Sequence, residues 1–198
     1  MSGHAYEVSL SAGVYPKELV KTLNRLSLHS ESTTKIHTRE VVFEPLDAQL
    51  LRESGQEPVF LRAKKELTEP NSPWELYSYL KPESVRTYPD ATVRPFVNVQ
   101  VSGDALSFAA GLGYIKKTSI YKRGYAFRRG PLIILMFQQE QPDPKTEKPI
   151  PAQPDTLWEV EVKTASPVRD APVKQTIDLL LEVQTIMKGL LDLRRQEF

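Results

Sequence analysis

Between Gly113 and Gln139 the chain reads Gly-Tyr-Ile-Lys-Lys-Thr-Ser-Ile-Tyr-Lys-Arg-Gly-Tyr-Ala-Phe-Arg-Arg-Gly-Pro-Leu-Ile-Ile-Leu-Met-Phe-Gln-Gln. Little besides antiparallel β-structure accommodates such a stretch. Tyr114, Tyr121, Tyr125, Phe127 and the apolar run from Leu132 to Phe137 favour strands, and Gly124 and Gly130 interrupt them where turns or bulges fall. The expectation is one strand over 114–121 and another over 125–137. The stretch offers no obvious acid, base, nucleophile or metal ligand.

The rest of the chain arranges itself around that hairpin. Tyr6, Val8 and Leu10 alternate with Glu7, Ser9 and Ser11, the period of a half-buried strand. Pro16 suits a first helical turn, and Leu19, Leu23 and Leu26 recur at helical spacing, which predicts a helix to about His29. Strands over 34–43, 58–67 and 74–80 follow, with Leu46, Leu50 and Leu51 set for a helical turn in the polar linker 44–57. The second half repeats the order with a strand over 93–101, a short helix over 104–111, the two strands of the hairpin and a last strand over 156–164. Ser102 or Gly103 is the expected cap of that helix, with Asp104 beside its N-terminal dipole. Residues 1–92 and 93–164 therefore each read β-α-β-β-β, without sequence identity between them. One half alone leaves open sheet edges, and joining the two into a closed barrel removes them. The predicted fold is α+β, a mainly antiparallel wide barrel of eight strands in one domain over 1–198, plus a long C-terminal helix.

That helix is predicted over 170–195. Val173, Ile177, Leu180, Met187 and Leu191 form one apolar stripe, and Leu179, Val183, Ile186, Leu190 and Leu193 form a second. Together they span an arc of about 240°, where ~100° is enough to dock on one surface. Two readings stand. The helix is sunk in a groove of its own domain, or the first stripe docks on the barrel and the second receives an apolar surface of a partner protein. Leu179, Val183, Ile186, Leu190 and Leu193 are thus the candidate partner-binding residues. Residues 141–155 hold five prolines and almost no apolar side chain, and are expected to form an exposed, flexible loop between two strands.

Composition bounds the function. With 26 basic and 25 acidic residues the formal net charge is +1, so no global field gathers polyanions. There is no cysteine, which excludes disulfides and thiolate metal sites and suits a reducing compartment. No apolar run reaches the ~18 residues of a membrane span and the first residues lack a signal-peptide pattern, so a soluble intracellular chain is expected. His4, His29 and His37 have no ligand or triad companion at a recognisable spacing, and each is expected at the surface. There is no nucleophile elbow, Walker loop or dinucleotide fingerprint.

Arg123-Gly124-Tyr125-Ala126-Phe127-Arg128-Arg129-Gly130 followed by an apolar strand resembles the corresponding hairpin of the Mediator subunit 18 family. Pro58-Val59-Phe60-Leu61-Arg62-Ala63-Lys64-Lys65, then Pro73-Trp74-Glu75-Leu76 and Lys81-Pro82-Glu83, are similar to the family's two central strands and the loop after them. The helix ahead of Gly113-Tyr114, the late strand 157–162 and the apolar C-terminal helix follow in the family's order. The resemblance implies a barrel of the same wide class as the triphosphate tunnel enzymes, and a non-enzymatic, nuclear subunit of the head module of the RNA polymerase II coactivator. The partners it implies are Mediator subunit 20, the C-terminal helix of Mediator subunit 8, and the remaining head subunits with the polymerase machinery. It implies no catalytic residue, metal or cofactor, and no membrane.

Two rival chemistries remain in view. Glu159-Val160-Glu161-Val162-Lys163 has the Glu-x-Glu-x-Lys pattern with which triphosphate tunnel enzymes hold divalent metal and phosphate. It stands near the end of the chain, where those enzymes carry it on the first strand, and the favoured reading is the polar outer face of an alternating strand. The basic residues of 116–129, with Arg62, Lys64 and Lys65, suggest an RNA- or phosphate-binding barrel. Adjacent pairs such as Lys116-Lys117 and Arg128-Arg129 face opposite ways on a strand, so solvated faces are the expected outcome.

Overall fold

A computed structural model describes residues 5–169 and 173–196. The first half comprises β1 (Ala5–Val14), a 3-10 turn (Pro16–Glu18) leading into α1 (Leu19–Leu28), β2 (Ser32–Pro45), α2 (Ala48–Glu53), β3 (Leu61–Glu66) and β4 (Trp74–Tyr79). The second comprises β5 (Thr92–Val101), α3 (Ala105–Gly111), β6 (Tyr114–Arg129), β7 (Leu132–Pro142), the two-residue β8 (Pro149–Ile150), β9 (Trp158–Thr164), the two-residue β10 (Val168–Arg169) and α4 (Val173–Ile186). Neighbouring strands run β1-β5-β4-β3-β2-β6-β7, and β9 pairs with both β7 and β1. Eight antiparallel strands thereby close a barrel, with β8 and β10 attached to its rim. Each half supplies four strands, as the repeated β-α-β-β-β order predicts, and the two halves interleave at β1 and β5, β1 lying between β5 and β9 and β5 between β1 and β4.

The wall is inside-out relative to an ordinary small barrel. Val8, Leu10, Val93, Ile134, Met136, Val160 and Val162 point outward and pack with Leu26 of α1 and with Val173, Leu180, Val183 and Met187 of the C-terminal region. A second apolar cluster joins Val41, Phe43, Ala63 and Leu76 to Ala105 and Ala109 of α3. Each fully buried side chain of leucine size contributes about 1.5–3 kcal/mol. The helices are therefore held to the outside of the barrel, and the lumen is left to the alternate, polar residues. Among the described residues no helix is long and apolar enough to cross a membrane.

Two local expectations are corrected in the second half. The segment 114–129 is one 16-residue strand, not two strands broken at Gly124. Gly124 lies opposite Phe137 in the β6–β7 ladder, and a Cβ there would meet the carbonyl of Met136 and Cα of Phe137. It is a point of close backbone approach, and the chain turns at Gly130, whose φ is 53°. Asp104, not Ser102 or Gly103, caps α3, its Oδ1 accepting from the amides of Leu106 at 3.0 Å and Ser107 at 3.2 Å.

The C-terminal helix ends at Ile186, short of the expected 195; its expected start over 170–172 lies outside the described residues. Gly189 adopts φ 85°, and the amides of Leu190 and Leu191 both donate to the Met187 carbonyl at 3.0 Å. The reversal sends the tail back along β1, where Ser11 and Arg194 exchange two backbone hydrogen bonds of 2.9 Å. Arg195 donates to the carbonyls of Ala91 and Glu83, so the tail fills the gap where β1 and β5 diverge.

The proline-rich segment is drawn into structure at its base. Gln141 and Pro142 pair with Ile150 and Pro149, and the Asp143 carboxylate accepts from the amides of Lys145 and Thr146. The resulting hairpin lies over the outer face of β2 and β6.

Candidate functional site

The lumen encloses a cavity of about 580 Å³ lined by every strand of the barrel, β7 supplying Ile133, Leu135 and Phe137 and the other strands charged, polar and aromatic side chains. Strand alternation puts them there. Where Val8, Val41, Ala63, Val93 and Val162 face the helices, Glu7, Glu40, Arg62, Arg94, Glu161 and Lys163 face inward. The polar face of the Glu-x-Glu-x-Lys strand, expected outside, is therefore inside: the apolar face is the one the helices cover.

The lumen charges form a connected set of ion pairs. Arg62 Nη1 donates to Glu40 Oε1 at 2.8 Å and Lys122 Nζ lies 3.2 Å from Glu40 Oε2. Lys122 also reaches Glu161 at 3.7 Å. Lys163 Nζ is 3.3 Å from Glu7 and 3.5 Å from Glu161, and the Tyr79 hydroxyl donates to Glu7 at 3.1 Å. Nearer the mouth, Lys64 pairs with Glu75 at 3.0 Å, and the Arg94 guanidinium stacks 4.0 Å above the Tyr79 ring.

Burial tends to raise the Glu40 carboxyl, but the charges of Lys122 and Arg62, with hydrogen bonds from Tyr77 and Arg62, overcome it and hold the group at about 2. Glu161 behaves likewise: burial pushes up, Lys122 and Lys163 pull down, and the net direction is down. Burial works to lower Lys163, and Glu7 and Glu161 reverse it, so the ammonium is stabilised. Tyr77 and Tyr79 are pushed up, chiefly by burial. Glu159 stands apart from this set. Its carboxylate accepts from Gln139 at 2.7 Å, and burial raises it. Among the described residues no three His, Asp or Glu side chains are grouped to hold a metal.

The basic residues of 116–129 are spread between the lumen and the outside, and the β-bulge opposite Val42/Phe43 upsets strict alternation at Lys116-Lys117. Lys122 enters the lumen, Lys116 and Lys117 pair outside with Glu147 and Glu44, and Arg129 pairs with Glu182. His37 is corrected from a lone surface residue. Its Nε2 lies 3.0 Å from the buried Glu140 carboxylate, which also accepts from Arg123 Nε at 2.6 Å. A separation of 103 residues hid that pair from any local spacing rule.

The candidate partner stripe is also relocated. Val183 and Leu193 are buried, and Ile186 and Leu190 are half-buried against the same cluster that holds Leu180. Leu179 alone of the five is exposed, at 36 %. The apolar arc is wide because the barrel takes its second stripe too. α4 lies in a groove of its own domain and the reversal at Gly189 folds Leu193 back into it.

A closed antiparallel barrel with a charged lumen and helices on its outer wall defines a protein of the triphosphate-tunnel fold. Residues 62–196 match the Med18 protein family, and the chain belongs to that family of Mediator subunits. A chain of the Schizosaccharomyces pombe Mediator head module is similar over 98 % of this chain and 100 % of its own, with a TM-score of 0.77 and 18 % identity. A putative adenylate cyclase from Vibrio parahaemolyticus is similar over 98 % of this chain and 96 % of its own, at a TM-score of 0.63 and 13 % identity. A putative adenylyl cyclase from Hippeastrum, described as having a dominant triphosphatase activity, is similar over 97 % and 91 %, at 0.57 and 12 %. At these identities the likeness is one of fold. No curated protein matches the chain by sequence.

Proposed function

We propose that the chain is a non-enzymatic structural subunit of the Mediator head module, acting in the nucleus as a rigid barrel that positions neighbouring subunits against the RNA polymerase II machinery. The observation that carries this reading is the state of the lumen: Lys122 and Lys163 are each engaged by two carboxylates. Cations that a tunnel enzyme would direct at a polyanion are here neutralised by their neighbours. Such a network ties strands together; it does not offer a charged track to a substrate. Mediator subunit 20 is the proposed barrel partner, and the C-terminal helix of Mediator subunit 8 the proposed tether. The full-length likeness to a head-module chain supports both the assembly and its nuclear address.

One observation favours the rival, a metal-dependent triphosphate phosphohydrolase: Glu161 and Lys163 do face the lumen. Purification from native extract followed by mass spectrometry, with a phosphate-release assay on the same material, separates the two. Head subunits co-purifying with a chain that releases no phosphate from triphosphates in magnesium or manganese is the expected result. A lone chain whose hydrolysis disappears in Glu161→Gln would overturn the proposal.

A further inference from the structure

The outer face of β2, β3 and β6 carries a second concentration of charge, separate from the lumen. Strand register sets Arg39 between Lys65 of β3 and Tyr121 of β6, and sets His37 opposite Arg123. Glu140 engages His37 and Arg123. Arg39 and Lys116 are engaged instead by the 143–148 hairpin: Arg39 Nη2 is 2.8 Å and Lys116 Nζ 2.5 Å from the two oxygens of Glu147, and the Tyr121 hydroxyl donates to the Glu147 carbonyl at 2.6 Å. Beside Glu147, the outward rows carry the cations Arg39, Lys65, Lys116 and Arg123, with the Glu140 carboxylate among them.

The hairpin occupies this seat incompletely and is lightly held. Arg39 presents a fork that can grip a carboxylate with two parallel bonds. Glu147 takes only one prong, and Arg39 Nε is buried with no hydrogen-bond partner among the described residues. Ser119 Oγ, on the same outward row two residues before Tyr121, is likewise buried without a hydrogen-bond partner among the described residues. Glu147 holds a φ of 55°, a region that side-chain-bearing residues occupy only when other contacts compensate. The β7–β8 ladder beneath it is two residue pairs long.

We propose that this face is a docking surface for an acidic peptide segment of a partner protein, and that the hairpin holds Glu147 there as an intramolecular stand-in for the partner's carboxylates. A carboxylate already sits on Arg39 and Lys116, so the seat is shaped for that group. An incoming acidic side chain completes the Arg39 fork, and the hairpin swings away at the cost of a short ladder and the Tyr121–Glu147 hydrogen bond, offset by relief of the strain at Glu147. A peptide fits better than a nucleic acid, because Glu140 in the same face interrupts any continuous phosphate track and the chain's net charge is only +1.

The test is fluorescence anisotropy of a fluorescein-labelled oligo-glutamate peptide with the full chain at low salt. Glu147→Ala removes the competitor, and affinity should rise roughly three- to tenfold, the factor by which a mostly occupied seat lowers apparent affinity. Arg39→Gln added to Glu147→Ala should cancel the gain, and added salt should weaken the binding. Unchanged affinity in Glu147→Ala, with a lowered melting temperature, would make the contact structural only and overturn the proposal. So would a gain that survives Arg39→Gln. A labelled oligouridylate bound more tightly than the peptide, through the same Arg39 and Lys116, would overturn it in favour of RNA.

Discussion

Lys163 on β9 meets Glu7 on β1 inside the barrel, Nζ to Oε2 at 3.3 Å, at the seam where the last strand of the second half closes onto the first strand of the first. The same ammonium lies 3.5 Å from Glu161. Lys163→Met removes a charge shared by the two carboxylates while keeping the bulk of the side chain. Breaking such a buried set from one side costs about 3–5 kcal/mol. Urea unfolding should show a loss of that order; a loss below ~1 kcal/mol would mean that lumen water screens the pair.

The Glu40 carboxyl links this network to pH. Its folded value of about 2 lies below the ordinary 4.5, with burial opposing the shift and Lys122 and Arg62 producing it. A depressed carboxyl contributes stability that is present above the unfolded value and lost as pH falls through the folded one. The window is therefore pH 4.5 down to about 2, and the contribution is roughly 3 kcal/mol. Denaturant midpoints of the native chain and of Glu40→Gln, measured across that window, should converge as pH falls. Parallel curves would show that Glu40 is not the group titrating.

Two residues of the second α4 stripe, one turn apart, make opposite predictions. Val183 is 2 % exposed and Leu179 36 %. Val183→Glu places a charge in the core between α4 and the barrel and should destabilise the isolated chain by several kcal/mol. Leu179→Glu should stay within about 0.5 kcal/mol of the native chain. Thermal melts of both variants, beside Leu180→Glu as the buried control, decide the matter. A stable Val183→Glu protein would return that stripe to the partner surface.

The architecture was legible from the order of elements, because hydrophobic alternation and two helical stripes recur in the same sequence in both halves. The orientation of the strands was not. Period-2 alternation in Glu7-Val8-Ser9-Leu10 or Glu161-Val162-Lys163 says that one face is polar, and leaves open whether that face looks at solvent or into a lumen. The arbiter was present: α1, α3 and α4 all carry apolar stripes that need a surface, and only the outside of the barrel can supply it. Contacts such as Lys163 with Glu7 and His37 with Glu140 link residues more than 100 positions apart and leave no local spacing to read. The early end of the C-terminal helix turns on the reversal at Gly189, which an apolar periodicity continuing through Leu190, Leu191 and Leu193 conceals.

Gly124 offers the cleanest reversal of a usual rule. Glycine in a strand interior is ordinarily worse than alanine by roughly 0.5–1 kcal/mol, since it loses more backbone freedom on folding. At Gly124 an added Cβ would meet the Met136 carbonyl oxygen and Phe137 Cα, backbone atoms of the paired strand that no rotamer change can move. Gly124→Ala must therefore push β6 and β7 apart in the middle of their ladder, and it should destabilise by ~2 kcal/mol or more. Gly111, at the end of α3 with open space where its Cβ would stand, is the control, and Gly111→Ala should be neutral or stabilising. Equilibrium unfolding of the two variants tests the close approach directly: if Gly124→Ala unfolds at or above the native midpoint, β6 and β7 are not pressed together at that residue, and its glycine belongs to a bend after all.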